Sequence, residues 1–445
     1  MNTIPLLPDA GMDTIVACHG ARPITRAEFL GDVLALTDRI PDTGHVLNLC
    51  RDRYWFAVAL FAAIARGTLS VLPSSAAPET IAELLREHPD LVCLGDQPSI
   101  PHKLPYLQAP AICGESVRTG TPAVPRIPAE QLIMHVYTSG STGKPQRHPK
   151  TFGRICQCAA AEASRMWSIA GGPCSVLGTV PFQHMYGLES TIFLPLLGGG
   201  QLSSRLPFFP ADVAAALDEL PAPVLLVTTP FHLRKLLDSD IPLPPVAATV
   251  SATAPLPQEL AAETETRLGA PMIEIYGSTE TGQIATRQPT QQSEWQLYDG
   301  IALSQEHGIT TASGGHLEGP QRLNDVLELC GPACFRLLGR NSDMVNVVGK
   351  RSSLSFLNQL IAGLPGVRDG VFCIPQADAE HKVSRLAAFV VAPELRTQDI
   401  HAALLQQVDP VFLPRPIVFL DTLPRDGNGK ISAAAMAELI ARHIP

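Results

Sequence analysis

The stretch His135-Val136-Tyr137-Thr138-Ser139-Gly140-Ser141-Thr142-Gly143-Lys144-Pro145 constrains this chain more than any other. A strand-like apolar run, Leu132 to Tyr137, feeds into hydroxyls packed around Gly140 and Gly143, and the segment closes on Lys144 and Pro145. Glycine lets the backbone take positive φ and approach a ligand, while hydroxyls and free N–H groups supply donors for phosphate oxygens. Lys144 adds a positive charge at the rim. The P-loop of nucleotide triphosphatases needs four residues between its glycines and a Ser or Thr after its lysine. Here only Ser141 and Thr142 separate Gly140 from Gly143, and a proline follows Lys144. It is a phosphate loop of another kind. Taken alone, such a segment reads more readily as a solvated connection.

At 445 residues the chain exceeds what one hydrophobic core serves, so two or three domains are expected. Apolar residues make up 45% and charged residues 17%, which excludes wholesale disorder. The net charge of −9 and the lack of a basic cluster argue against nucleic-acid binding. The longest apolar run, Trp55 to Ala65, is flanked by Arg51, Arg53 and Arg66 and is too short to span a bilayer, so it reads as a buried helix. No N-terminal segment has the charge and apolar pattern of a secretory leader. The ten cysteines form no C-x-x-C pair and no zinc spacing; they read as small buried residues in a reducing cytoplasm.

Toward the N-terminus, Thr25 and Glu28 form a capping box, with Ile24 and Phe29 positioned to clasp across it. Strands are expected at Val46 to Cys50, Leu69 to Leu72 and Leu91 to Leu94, with helices at Trp55 to Ala65 and Pro78 to Glu87. That alternation points to a doubly wound α/β layer. Pro101 to Pro128, rich in proline and without periodicity, reads as a surface connection.

Three further segments carry chemistry. Val250 to Leu256 is a strand ending in the small residues Ala252, Thr253 and Ala254, which leave room for a flat group. Ile273 to Gly282 (IEIYGSTETG) runs from a strand into a polar turn, where Tyr276 offers a stacking face, Thr279 a hydroxyl and Glu280 a hard carboxylate suited to Mg²⁺. Asp325 could bond a ribose diol, and Arg340 could reach phosphate or ribose. Singly, each reads as a polar turn or a surface charge. His184, where the strand ending at Gly178-Thr179-Val180 leads toward a helix, reads alone as a structural hydrogen-bonding residue. From about Asn341 the pattern restarts as a small α+β unit. Its Arg425-Asp426-Gly427-Asn428-Gly429-Lys430 makes a tight exposed turn with Lys430 at the tip.

TSGSTGKP, YGSTETG, the stretch from Asp325 to Arg340 and PRDGNGK occur in this order, and together they resemble the signature motifs of the adenylate-forming superfamily. That group includes acyl- and aryl-CoA synthetases, adenylation domains of peptide synthetases and luciferases. The resemblance covers nearly the whole chain. It implies an α/β fold with a large N-terminal domain of layered α/β subdomains (1–340) that carries the ATP and acyl pocket. A small mobile α+β C-terminal domain (341–445) would carry the catalytic lysine.

Roles follow from the resemblance. Thr138, Ser139, Gly140, Ser141, Thr142, Gly143 and Lys144 would hold the β- and γ-phosphates of ATP. Tyr276 would stack on adenine beside Ala252, Thr253 and Ala254, with Gly277 and Ser278 adjoining the nucleotide. Thr279 would bind the α-phosphate, Glu280 the Mg²⁺, and Asp325 the ribose with Arg340 beside it. Lys430 would bridge the substrate carboxylate and the α-phosphate. The hinge for domain rotation would lie at Ser342, where many relatives carry Asp or Lys, and Gly349 would line the thiol tunnel. Asn346 likewise stands where many relatives have Lys.

The implied activity is activation of a carboxylic acid through acyl-AMP, then thioester formation on CoA or on the phosphopantetheine of an acyl carrier protein. His184 sits where aryl-CoA ligases place a histidine, and with Met185, Tyr186 and Ile284 it would line a pocket for an aromatic or medium apolar acid. The continuation Gln146-Arg147-His148-Pro149-Lys150-Thr151 departs from the commoner ending and looks like that of stand-alone ligases of aryl polyene pigment synthesis. The alternatives are an adenylation-only enzyme and a non-catalytic nucleotide-binding protein. Intact Glu280 and Lys430 speak against the last.

Overall fold

The computed structural model of the chain describes residues 2–73, 75–100, 104–109, 122–138, 146–340, 344–347, 350–375, 386–425 and 431–444. The helix Arg26–Arg39 begins on the expected capping box, with Thr25 N donating to the Glu28 carboxylate at 2.7 Å and Glu28 N donating to the Thr25 hydroxyl. Ile24 and Phe29 are fully buried at that end. The helix Arg53–Arg66 starts on Asp52, whose carboxylate accepts from Trp55 N, and stops at Gly67 with φ 79°. That left-handed value is a common helix terminator. Its residues from Arg53 to Ile64 are all buried, as a core helix requires. Among the described residues no helix is long and apolar enough to cross a membrane.

This helix packs on a six-stranded sheet. Across it the strands run Gln146–Thr151, Leu132–Thr138, Leu69–Leu72, His45–Asn48, Val92–Gly95, Tyr106–Gln108. Every neighbouring pair is parallel except the first, and the helices Arg53–Arg66 and Pro78–Glu87 make the crossovers from His45–Asn48 to Leu69–Leu72 and from there to Val92–Gly95. The segment expected to be a plain connection between Pro101 and Pro128 contributes two short strands. Tyr106–Gln108 forms the sheet edge, and Arg126–Pro128 pairs with Thr3–Pro5. Three-residue strands hold too few positions to display a period of two.

A second sheet of eleven strands lies beyond. Its parallel middle runs Ile15–His19, Gln201–Ser203, Ser175–Gly178, Val224–Thr228, Ala248–Ser251, Met272–Ser278. Antiparallel strands Gly282–Arg287, Trp295–Leu297, Cys334–Arg340 and Asp325–Gly331 extend it. Arg53 stitches the first layer to this sheet. Its Nη1 donates to Ser203 O at 3.0 Å and also to Arg205 O, and its Nη2 donates to Gly178 O at 2.8 Å. Burial lowers this guanidinium to about 9, with Asp52 opposing.

The C-terminal part has its own three-stranded sheet, Asp369–Cys373, Ala387–Val391 and Ile417–Phe419. Helices Leu354–Ala362, Thr397–Leu405 and Ala433–His443 accompany it. Leu357, Ile361, Phe372, Val390, Ile400 and Leu404 form a separate core there, the mark of a small domain with its own packing. The fold class therefore follows the sequence reading.

Candidate active site

The two strands flanking the phosphate loop are antiparallel neighbours, with Thr138 opposite Gln146. The register brings the two roots of the loop side by side. Ser139, Gly140, Ser141, Thr142, Gly143 and Lys144 themselves lie outside the described residues, as do Ser342, Gly349 and Lys430. At the roots, Thr138 Oγ1 lies 3.1 Å from His148 Nε2, and the same nitrogen is 3.8 Å from Glu280 Oε1. The motif carrying Glu280, 142 positions further along the chain than Thr138, is thus folded onto the loop's base.

Glu280 sits in the turn between the strands Met272–Ser278 and Gly282–Arg287. Two glycines make the turn possible. A Cβ on Gly277 would stand 2.2 Å from Gly282 O, and Gly282 takes φ 68° with its Cβ position 2.5 Å from Glu189 Oε1. Inside the turn, Ser278 N donates to Thr281 Oγ1 at 3.1 Å and Thr281 Oγ1 donates to Gly282 O at 2.7 Å. Gly277 and Ser278 are exposed, and Thr279 and Glu280 partly so, leaving the polar tip open toward solvent. Burial alone would raise the Glu280 carboxyl, but Ser278, its own backbone, His148 and Lys150 hold it below the ordinary value, so it stays ionised. No group of three or more His, Cys, Asp or Glu among the described residues could cage a metal. One ionised carboxylate beside a candidate phosphate loop could instead help hold a Mg²⁺ carried in on substrate phosphates.

The residues expected at the nucleoside end come from three separate motifs. Tyr276 is 9% exposed and packs edge-on against Phe335 (centroids 5.3 Å) and tilted against Trp295 (5.6 Å). Its hydroxyl donates to Asp325 Oδ2 at 2.6 Å, and Asp325 lies directly across the ladder from Arg340. Strand Ala248–Ser251 runs parallel to Met272–Ser278 with Ser251 opposite Glu274. Ala252, Thr253 and Ala254 therefore leave the sheet at the same carboxyl edge as Tyr276 and Gly277, the edge where open α/β sheets bind ligands. Thr253 is exposed and takes φ 77°, a conformation costing on the order of 1–3 kcal/mol that collects at ligand sites.

His184 stands at the N-cap position of the short helix Met185–Leu188, without a side-chain capping bond, and is exposed. Met185 is buried in the main core. Tyr186 O–H donates to Thr228 O at 3.0 Å and to Val250 O at 3.2 Å, which ties it to the ends of two parallel strands. Ile284 is wholly buried in a different cluster, with Tyr276, Trp295 and Phe335. The structure brings His184, Met185 and Tyr186 together by chain adjacency and packs Ile284 with Tyr276, Trp295 and Phe335 instead.

Motif reading missed a buried polar group behind this wall. The chain widens into a π-helix over Glu189–Phe193, a local form frequent at functional sites. Cys158 Sγ–H donates to Glu189 Oε1 at 3.3 Å, Gln283 Nε2 donates to Ser190 Oγ at 2.9 Å, and Tyr298 O–H donates to Gln283 Oε1 at 3.1 Å. Burial raises Glu189 to about 7, opposed chiefly by Lys150, and raises Glu162 to about 8. Lys150 Nζ donates to Glu280 O at 3.0 Å. Glu162 does leave a trace in the sequence. It interrupts the apolar stripe Ile155, Cys158, Ala159, Ala163, Met166 of the helix Phe152–Ala170.

In the small domain, Arg425 lies just before the segment that carries Lys430. Its Nε and Nη2 donate to Asp369 at 2.8 and 2.7 Å, a two-pronged anchor at that point of the chain.

Comparison with known proteins places these features in one family. Residues 41–305 match the family described as AMP-binding enzyme. A 4-coumarate–CoA ligase of Rhodobacter capsulatus is 29% identical over 253 residues, covering 55% of this chain and 63% of that one. The p-hydroxybenzoic acid–AMP ligase FadD22 of Mycobacterium tuberculosis is 27% identical over 92% of this chain and 63% of its own length. The chain thus spans under two thirds of each of these two relatives. The crystal structure of ATP-bound MatB from Rhodopseudomonas palustris superposes with a TM-score of 0.78 at 16% identity, covering 97% of each chain, and so shares the fold. This chain belongs to the AMP-binding, adenylate-forming enzyme family.

Proposed function

We propose that the protein activates a carboxylic acid, with an aromatic acid favoured, as its acyl-adenylate and then passes the acyl group to a thiol. In the first step a carboxylate oxygen bonds to the α-phosphorus of ATP while the bond to the β-phosphate oxygen breaks and pyrophosphate leaves. In the second, a thiolate of CoA or of carrier-bound phosphopantetheine attacks the acyl carbon and AMP leaves. The observation that carries this reading is the convergence of Thr138, His148 and Glu280 at the base of the phosphate loop, with the side chains of Tyr276 and Asp325 bonded to each other across the second sheet.

Two anions must meet, so charge is the obstacle. Thr138 to Lys144 hold the β- and γ-phosphates, Thr279 binds the α-phosphate, and Asp325 with Arg340 holds the ribose. Glu280 would hold a Mg²⁺ ion, which would supply positive charge against the phosphates. Lys430 places an ammonium between carboxylate and α-phosphate, a contact worth most where charge develops. The small domain, 341–445, brings it in and then pivots about Ser342, so that Gly349 lines the path of the thiol. His184, Met185 and Tyr186 line the acyl side.

The coumarate and p-hydroxybenzoic acid ligases among the relatives support an aromatic substrate. Their names also divide on the acceptor, CoA in one and AMP alone in the other, so an enzyme that stops at the adenylate is the second reading. Likeness to the aryl polyene ligases favours a carrier protein. Incubation with ATP, Mg²⁺ and a panel of aromatic and aliphatic acids, followed by mass spectrometry with and without CoA or a loaded carrier protein, tests this. The proposal expects an aryl-AMP and then a thioester on one thiol. Adenylate with neither thioester supports the second reading, and no adenylate from any acid overturns both.

A further inference from the structure

Two side chains on the strand that leaves the phosphate loop reach one residue of a turn far along the chain. His148 and Lys150 stand two apart on Gln146–Thr151 and so share one face of that strand. Lys150 is 5% exposed, and its Nζ donates to the main-chain carbonyl of Glu280 at 3.0 Å. His148 Nε2 lies 3.1 Å from Thr138 Oγ1, at the other root of the loop, and 3.8 Å from the Glu280 carboxylate. The end of the strand is pinned as well, since Thr151 N and Oγ1 donate to the Glu318 carboxylate at 2.6 and 2.9 Å.

An ammonium taken out of water is costly unless paired and hydrogen-bonded. Buried Glu189 supplies an opposing charge, which a lysine could meet with any geometry. What Glu189 does not require is a bond from that ammonium to the backbone of the Glu280 turn. The main-chain bond fixes where the turn stands relative to the loop, and the imidazole fixes which way its carboxylate faces. We infer that His148 and Lys150 are positioning residues that lock the Glu280 carboxylate to the base of the phosphate loop, so that metal ligand and triphosphate cradle form one unit. The inference rests on the reading of Glu280 as the Mg²⁺ ligand.

Lys150→Met keeps the stem and loses the donor, Lys150→Arg restores a donor, and His148→Ala removes the imidazole. Binding of Mn²⁺ to the full-length protein with a non-hydrolysable ATP analogue, followed by electron paramagnetic resonance, reads the site without turnover. Residues supporting a metal ligand typically change metal affinity by tenfold or more, so Lys150→Met and His148→Ala should each weaken Mn²⁺ by about tenfold, while metal-free analogue binding in EDTA changes by less than about twofold. Lys150→Arg should recover part of the loss, and Glu280→Gln should lose at least as much as Lys150→Met. If Glu280→Gln weakens Mn²⁺ binding and the Lys150 and His148 variants do not, the positioning inference falls and the Glu280 reading stands. If Glu280→Gln leaves Mn²⁺ binding unchanged, the Glu280 reading falls and takes the inference with it. Should Lys150→Met fail to fold, His148→Ala decides by the same measure.

Discussion

Glu162 makes the sharpest quantitative prediction. It is 1% exposed on the apolar stripe of the helix Phe152–Ala170. Burial lifts its carboxyl from 4.5 to about 8; Ser190 and Gln283 pull it down and Glu189 pushes it up by smaller amounts. The folded protein therefore keeps a proton that the unfolded chain releases. The stability this contributes is complete below about 4.5 and is lost as pH rises through about 8. Within that window one retained proton gives a slope of ~1.4 kcal/mol per pH unit. Glu189, lifted to about 7, adds a similar slope lower in the range. His135 and His316, held down to about 4 by burial first and by neighbouring cations next, act in the opposite direction up to the ordinary imidazole value of 6.5. The wild-type curve thus mixes signs, but the difference between wild type and Glu162→Gln isolates one carboxyl. In urea unfolding followed by fluorescence, the variant should gain about 2–3 kcal/mol on wild type between pH ~5.5 and ~7.5. Parallel curves would refute the reasoning, because Glu162 would then titrate alike in both states.

Two further substitutions probe the frame. Arg53→Met strands the carbonyls of Ser203, Arg205 and Gly178 between the two layers and should cost about 3–5 kcal/mol in the same urea assay; a loss under ~1 kcal/mol contradicts its role as a clip. Gly277→Ala drives a Cβ to within 2.2 Å of Gly282 O. It should cost about 3 kcal/mol or more, read as a lowered Tm, and a wild-type Tm would show that the turn can yield.

How much of this was legible in the sequence depended on how local the cause was. The strand Leu69–Leu72 and the helix Pro78–Glu87 begin and end at the residues expected from sequence. Each is bounded by nearby signals such as the proline in the first turn at Pro78. The capping box at Thr25 and Glu28 is local in the same sense. Partnership across the chain was not legible. Lys150 and Glu280 are 130 positions apart, and nothing in either segment names the other. The strand Ile15–His19 joins the second sheet through Leu202 and Ser203, a pairing that only the finished topology supplies. Ile284 sits on a strand buried along nearly its whole length, so whether it meets an acyl pocket or the Trp295–Phe335 cluster depends on packing between strands distant in sequence. The motifs located the site's parts; the hydrogen bond from Tyr276 to Asp325 and the strand register of Thr138 with Gln146 are tertiary features that only the folded chain supplies.

The most direct measurement is carboxylate-dependent exchange of labelled pyrophosphate into ATP by the wild-type protein and by Lys430→Ala, with ATP binding measured alongside. The account predicts exchange with at least one aromatic acid, a fall of about 10²–10³-fold in the variant, and ATP affinity changed by only a few-fold. Exchange at wild-type rate in Lys430→Ala would contradict it.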